Sequence, residues 1–218
     1  MFGSLTRDSA RADVLTHERS DDRMVRGFCI ALVFLASTTS GGADELFFRK
    51  DSVTVFGGVY TTVNMHQSFS PIADHDSTYL IAAAYRREFV KLPWNVVIGG
   101  EAGVGFRFGS GSFGEIWAAP TIRVVGIPLG SFASMSLGVS AGFSAITNPT
   151  GLERQREQEH SGDTTLLFYF SPELAFAFAD LPNMEFVLRL HHRSGLYGTL
   201  GRMREGSNAQ TVGVRWLF

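Results

Sequence analysis

From about residue 52 onward, large apolar residues fall at every second position, in run after run. Over 95–108, Val96, Ile98, Ala102, Val104, Phe106 and Phe108 share one parity, while Glu101, Gly103, Gly105 and Arg107 hold the other. Over 131–145, Met135, Leu137, Val139 and Phe143 alternate with Ser134, Ser136, Ser140 and Ser144. Over 163–179, Leu166, Phe168, Phe170, Leu174, Phe176 and Phe178 alternate with Tyr169, Ser171, Glu173, Ala175 and Ala177. Successive side chains of a strand point to opposite faces, so this pattern predicts strands. Eight are expected, near 52–63, 77–90, 95–108, 113–125, 131–145, 163–179, 184–194 and 209–218. No helical repeat is sustained over three turns, and the chain reads as all-β.

In each run one face is large and apolar, and the other is small, polar or charged. A soluble core hardly sets a charged face against a face of phenylalanines and leucines. A membrane barrel does, with lipid outside and a crowded polar interior. Eight strands meet the even count of single-chain outer-membrane barrels. The connections after the second, fourth and sixth strands are short, whereas 64–76, 146–162 and 195–208 are long and polar. That asymmetry fits short periplasmic turns and long extracellular loops, with Gly109–Ser112 as the short exception. The expected fold is an eight-stranded antiparallel transmembrane β-barrel in the Gram-negative outer membrane. Glu101, Glu115, Glu173 and Glu185 are expected inside with Arg107, Arg123, Arg189 and Arg215. A barrel this narrow is filled by side chains, so the reading is a plugged scaffold and no pore.

Composition adds a leader and removes some chemistry. The chain has 218 residues, with 19 Lys and Arg against 21 Asp and Glu, and no basic stripe that points to nucleic acid. Glycine at 24 and phenylalanine at 19 suit many strands with tight bends. Residues 27–36, GFCIALVFLA, follow Arg26 and precede Gly41-Gly42-Ala43. A basic residue, an apolar run too short to span a bilayer and a small-residue cleavage site make a secretory signal. Residues 1–43 are read as that signal with Met24 as the true start, and 44–218 as one barrel domain. Cys29 lies in the signal, so the mature chain is expected to hold no disulfide and no cysteine-based zinc site. No cofactor and no metal are expected; Asp74-His75-Asp76 and His160 are loop residues without a further fixed ligand. The glycines of 99–105 mimic a nucleotide-binding pattern, but no helix follows them.

The chemistry concentrates in the last stretch. From Met184, the even positions run Met184, Phe186, Leu188, Leu190, His192 and Ser194; the odd positions run Glu185, Val187, Arg189, His191 and Arg193. The greasy face therefore ends in a histidine and a serine, side by side near the outer rim. Glu205 is the sole acidic side chain after Ser194. A serine, a histidine and an acid are the parts of a hydrolytic triad. The charged segment GLERQREQEH, 151–160, reads as an extracellular loop, with Arg154 and Arg156 available to anionic head groups.

The segment Leu190-His191-His192-Arg193-Ser194-Gly195, late in an eight-stranded frame, resembles the lipid A 3-O-deacylase (PagL) family of outer-membrane barrels. The resemblance implies Ser194 as nucleophile, His192 as its base and Glu205 as the acid that orients His192. It also implies lipid A, in the lipopolysaccharide of the outer leaflet, as the partner. The family usually follows the serine with asparagine, where this chain has Gly195. The oxyanion donor is then either Gly195 N–H or Asn208, reaching across from the last strand. The terminal aromatic Phe218 is similar to the ending of chains handled by the outer-membrane assembly machinery. The rival reading is a structural or adhesive barrel of the OmpA or OmpX type, in which 64–76 and 146–162 matter and His192 and Ser194 do not act.

Overall fold

The computed structural model describes residues 51–218. The expected signal, the Met24 start and Cys29 lie outside the described residues. Eight strands form in chain order: β1 Asp51–Thr61, β2 His75–Leu92, β3 Val96–Phe108, β4 Phe113–Leu129, β5 Ala133–Ile146, β6 Leu166–Phe178, β7 Met184–Ser194 and β8 Ser207–Leu217. Each pairs antiparallel with its neighbour, and β8 returns to β1 from Ser52↔Leu217 to Thr61↔Asn208. Closure pairs every strand on both sides, which lets a sheet stand in hydrocarbon without bare backbone groups.

The alternation sorts as the sequence predicts. Val55, Ile81, Val104, Phe106, Ile116, Phe143, Leu188 and Val212 are exposed on the outer wall. A water-soluble protein rarely displays so continuous an apolar belt. The buried set is charged: Arg86, Arg107, Arg123, Arg189, Arg193 and Arg215 against Glu88, Glu101, Glu115, Glu153, Glu173 and Glu185. Glu173 alone meets Arg86 at 2.7 Å and Arg215 at 2.8 Å, with Arg123 at 3.4 Å and Arg189 at 3.6 Å. Glu101 holds Arg86 and Arg189, each at 2.7 Å, and accepts from Trp117 Nε1 at 3.1 Å. Such pairs offset the desolvation of burying charge only when their hydrogen bonds are satisfied, as most here are. Trp117 fills the barrel beside Phe56, Tyr169 and His191, and a Cβ on Gly103 would lie 2.1 Å from its ring. Gly103 is therefore a packing requirement and no nucleotide loop.

The connections divide as expected, with short turns at 93–95, 130–132 and 179–183 at one end. At the other end, the connection after β5 corrects one expectation. Gly151–His160 is a helix, α1, and not an irregular loop. Thr150 Oγ1 accepts from Glu153 N, and the Glu153 carboxylate accepts from Thr150 N, a reciprocal cap that starts the helix. The same carboxylate then plugs the barrel mouth. It meets Arg193 at 2.7 Å and Arg107 at 3.2 Å, and accepts from Ser207 Oγ at 2.8 Å.

Candidate active site at the outer rim

The end of β7 carries the candidate chemistry. His191 and Arg193 turn inward and are fully buried. His191 Nε2 lies 2.8 Å from Glu115. Arg193 bonds Glu153, Ser144 and the Thr164 carbonyl. His192 and Ser194 turn outward, opposite Phe170 and Phe168 of β6. Residues two apart on a strand are about 7 Å apart at Cα and share a face. The outer wall of β7 is exposed at Phe186 and Leu188, then becomes covered: Leu190 is 4% and His192 7% accessible. Ser194 is half-buried.

The partner of His192 is Asn208. The β7–β8 register sets the two opposite each other, and His192 Nδ1 lies 2.5 Å from Asn208 Oδ1. Asn208 Nδ2 donates to the Val63 carbonyl at 2.9 Å. Val63 belongs to 62–74, which folds as a strap onto the outer ends of β1 and β8. Gln210 Nε2 fastens the strap through the Ser68 and Ser70 carbonyls at 2.8 and 2.7 Å. Thr61 and Ser68 hydroxyls meet at 2.7 Å beneath it. His75 of the Asp74-His75-Asp76 run bonds Gln210 Oε1 at 3.0 Å. Among the described residues, no group of three His, Cys, Asp or Glu side chains is placed to hold a metal.

Glu205 sits elsewhere than the family resemblance implied. It lies in the loop before β8, where Arg156 of α1 approaches it at 3.6 Å. Asn64, with its amide nitrogen turned to the carboxylate, donates to it at 2.9 and 3.3 Å. Burial pushes the Glu205 carboxyl above its usual range, against the pull of Arg156. The hydrogen bond that would orient His192 comes from Asn208 instead. The reason is register: residue 208 falls opposite 192, whereas 205 precedes the strand. Arg156 is engaged between the loops, where its Nη1 donates to the Gly206 carbonyl at 2.6 Å.

Asn208 spends Oδ1 on His192 and one of its two Nδ2 hydrogens on the Val63 carbonyl. Gly195 keeps its backbone N–H beside Ser194. A Cβ there would stand 2.0 Å from the Met203 carbonyl and 2.4 Å from that of Leu200. The family's asparagine does not fit this loop. Leu196 and Tyr197 follow in left-handed conformation, at φ 48° and 56°. Bonds from Leu200 N to Gly195 O and from Gly198 N to Met203 O, both 2.9 Å, hold the turn. The strap and the roles of Gln210 and Glu153 are not written in any motif; of these, only the Thr150–Glu153 spacing carries a local signal.

No protein-family model matches the sequence, and no curated protein matches it. Solved structures do. The outer membrane enzyme PagL aligns at TM-score 0.51 and 12% identity, over 77% of this chain and 99% of its own. Neisserial surface protein A aligns at 0.48 and 9%, over 77% and 97%. The N-terminal barrel domain of Pseudomonas aeruginosa OprF aligns at 0.44 and 11%, over 78% and 98%. The fold is that of an outer-membrane β-barrel. With its apolar belt and ionic interior, the barrel resides in the outer membrane of a Gram-negative cell.

Proposed function

We propose that this barrel is a serine esterase that removes an ester-linked acyl chain from lipid A. The observation that carries the reading is the outward His192–Ser194 pair, with His192 held through Nδ1 so that Nε2 is left for the serine. The likeness of fold to PagL, which is an enzyme, and the His-x-Ser segment support the same chemistry.

In this reading Ser194 Oγ attacks the ester carbonyl while its proton passes to His192 Nε2. The tetrahedral oxyanion forms beside Gly195 N–H, the backbone donor next to the nucleophile in the chain. The intermediate collapses, the C–O bond of the ester breaks, and His192 returns the proton to the departing sugar oxygen. Water, deprotonated by His192, then cleaves the acyl-serine and releases the fatty acid. Glu205 acts at one remove, through Arg156 and Asn64, by setting the loop that carries Gly195. A site on the outer wall suits a substrate that stays in its leaflet, with acyl chains in lipid and the sugar ester at the rim.

The test is fatty-acid release from lipopolysaccharide per folded barrel. Wild type should release one acyl class, and Ser194→Ala and His192→Ala should each abolish release while the heat-modifiable gel shift of the folded barrel persists. Wild-type turnover in Ser194→Ala, or an inert wild type, would hand the protein to the adhesive-barrel reading.

A further inference from the structure

We infer that Asn208 is the positioning residue of His192. It stands where a triad carries its carboxylate, and it sets the imidazole tautomer through a bond to the strap. The catalytic meaning rests on the esterase reading above; the tautomer does not.

A carboxamide has an acceptor at Oδ1 and donors at Nδ2. The Val63 carbonyl can only accept, and it lies 2.9 Å from Asn208 Nδ2. The amide is thereby oriented, with Oδ1 toward His192 Nδ1 at 2.5 Å. An acceptor at that distance requires the proton on Nδ1. A neutral imidazole has one N–H, so Nε2 carries the lone pair that a general base needs. Were the amide reversed, oxygen would face the Val63 oxygen, and Nδ2 would drive the His192 proton to Nε2. The strap thus selects the base form without lending a charge. Its own position is fixed independently, by Gln210 on the Ser68 and Ser70 carbonyls. Asn208 is 1% accessible, so water does not compete for either bond.

The readout is the nitrogen-15 spectrum of the histidine rings, in barrels refolded into lipid nanodiscs, with His192→Gln supplying the assignment. Wild type should show His192 protonated at Nδ1. Asn208→Leu, which keeps the bulk and removes both bonds, should lose that single tautomer and lower kcat for ester hydrolysis about a hundredfold or more. Asn208→Asp restores an acceptor and should recover both the tautomer and most of the rate. Gln210→Ala, which frees the strap without touching His192, should mix the tautomers in an otherwise folded barrel. His192 protonated at Nε2 in wild type, or a tautomer indifferent to Asn208→Leu, would overturn the inference. Absence of hydrolysis alongside the expected spectrum would instead count against the esterase reading and leave the positioning role in place.

Discussion

Arg193 of β7 and Glu153 of α1 meet at 2.7 Å inside the barrel mouth, directly behind the strand that presents His192 and Ser194 to the outside. The two faces of one short segment are thereby locked from opposite sides. An ion pair grips it from within, and an amide held by the strap grips it from without.

Glu153→Leu should unlock the inner side. It leaves Arg107 and Arg193 with Glu115 as the one carboxylate they still share among the described residues. Removing one partner of a buried pair costs roughly 3–5 kcal/mol. The expected outcome is a lower melting temperature of the folded gel band, together with slower fatty-acid release. A barrel that melts as wild type does would show that α1 is not a structural plug.

Acid should open the same plug late. Burial disfavours the Glu153 carboxylate, but Arg107 and Arg193 outweigh it and hold the group at about 2, below its ordinary 4.5. A depressed carboxyl contributes stability that is complete above the unfolded value and is lost as pH falls through the folded one. Amide protection of α1 by hydrogen exchange should therefore persist down to pH 4.5 and decline between there and about 2. Collapse above pH 4.5 would contradict the pairing.

Glu173→Leu should be the most damaging lumen substitution. It deprives Arg86 and Arg215 of contacts at 2.7 and 2.8 Å at once. The loss should again be on the order of 3–5 kcal/mol or more. Urea titration of the folded band measures it, and an unchanged midpoint would mean that these arginines find other partners.

Gly195→Ala should separate site from scaffold. The added Cβ cannot share space with the Met203 carbonyl 2.0 Å away, so the loop must move. Misplacing a reacting group by about 1 Å can cost roughly a hundredfold in rate. Activity should fall by about that factor while the folded band melts as before. Full activity would move the oxyanion donor elsewhere.

The strands were legible because a barrel wall separates lipid from charge, so each residue of β7 declares its side; its bounds, Met184–Ser194, match the sequence reading. The inward Glu101 and Arg189 were legible for the same reason. α1 was not, because it is short and polar and the residue it buries is a carboxylate, Glu153, paired with arginines of other strands. Its one sequence cue was the spacing of Thr150 and Glu153. Asn208 escaped as the partner of His192 because facing across a hairpin depends on how many residues the loop consumes. Two turns built on left-handed residues, at Tyr197-Gly198 and Gly201-Arg202, absorb enough chain to leave Glu205 in the loop, short of the position opposite His192. Composition alone does not reveal that count.

The many contacts of Glu173 bear on how the barrel forms. Its arginine partners come from β2, β4, β7 and β8, so no hairpin contains a complete set. A half-assembled sheet would hold this carboxylate without the arginine of the last strand, and dehydrating it early would be costly. The interior can lose its water only when β8 arrives beside β1. Assembly should accordingly be all-or-none at the final step, with open sheets remaining wet and reversible until the seam shuts.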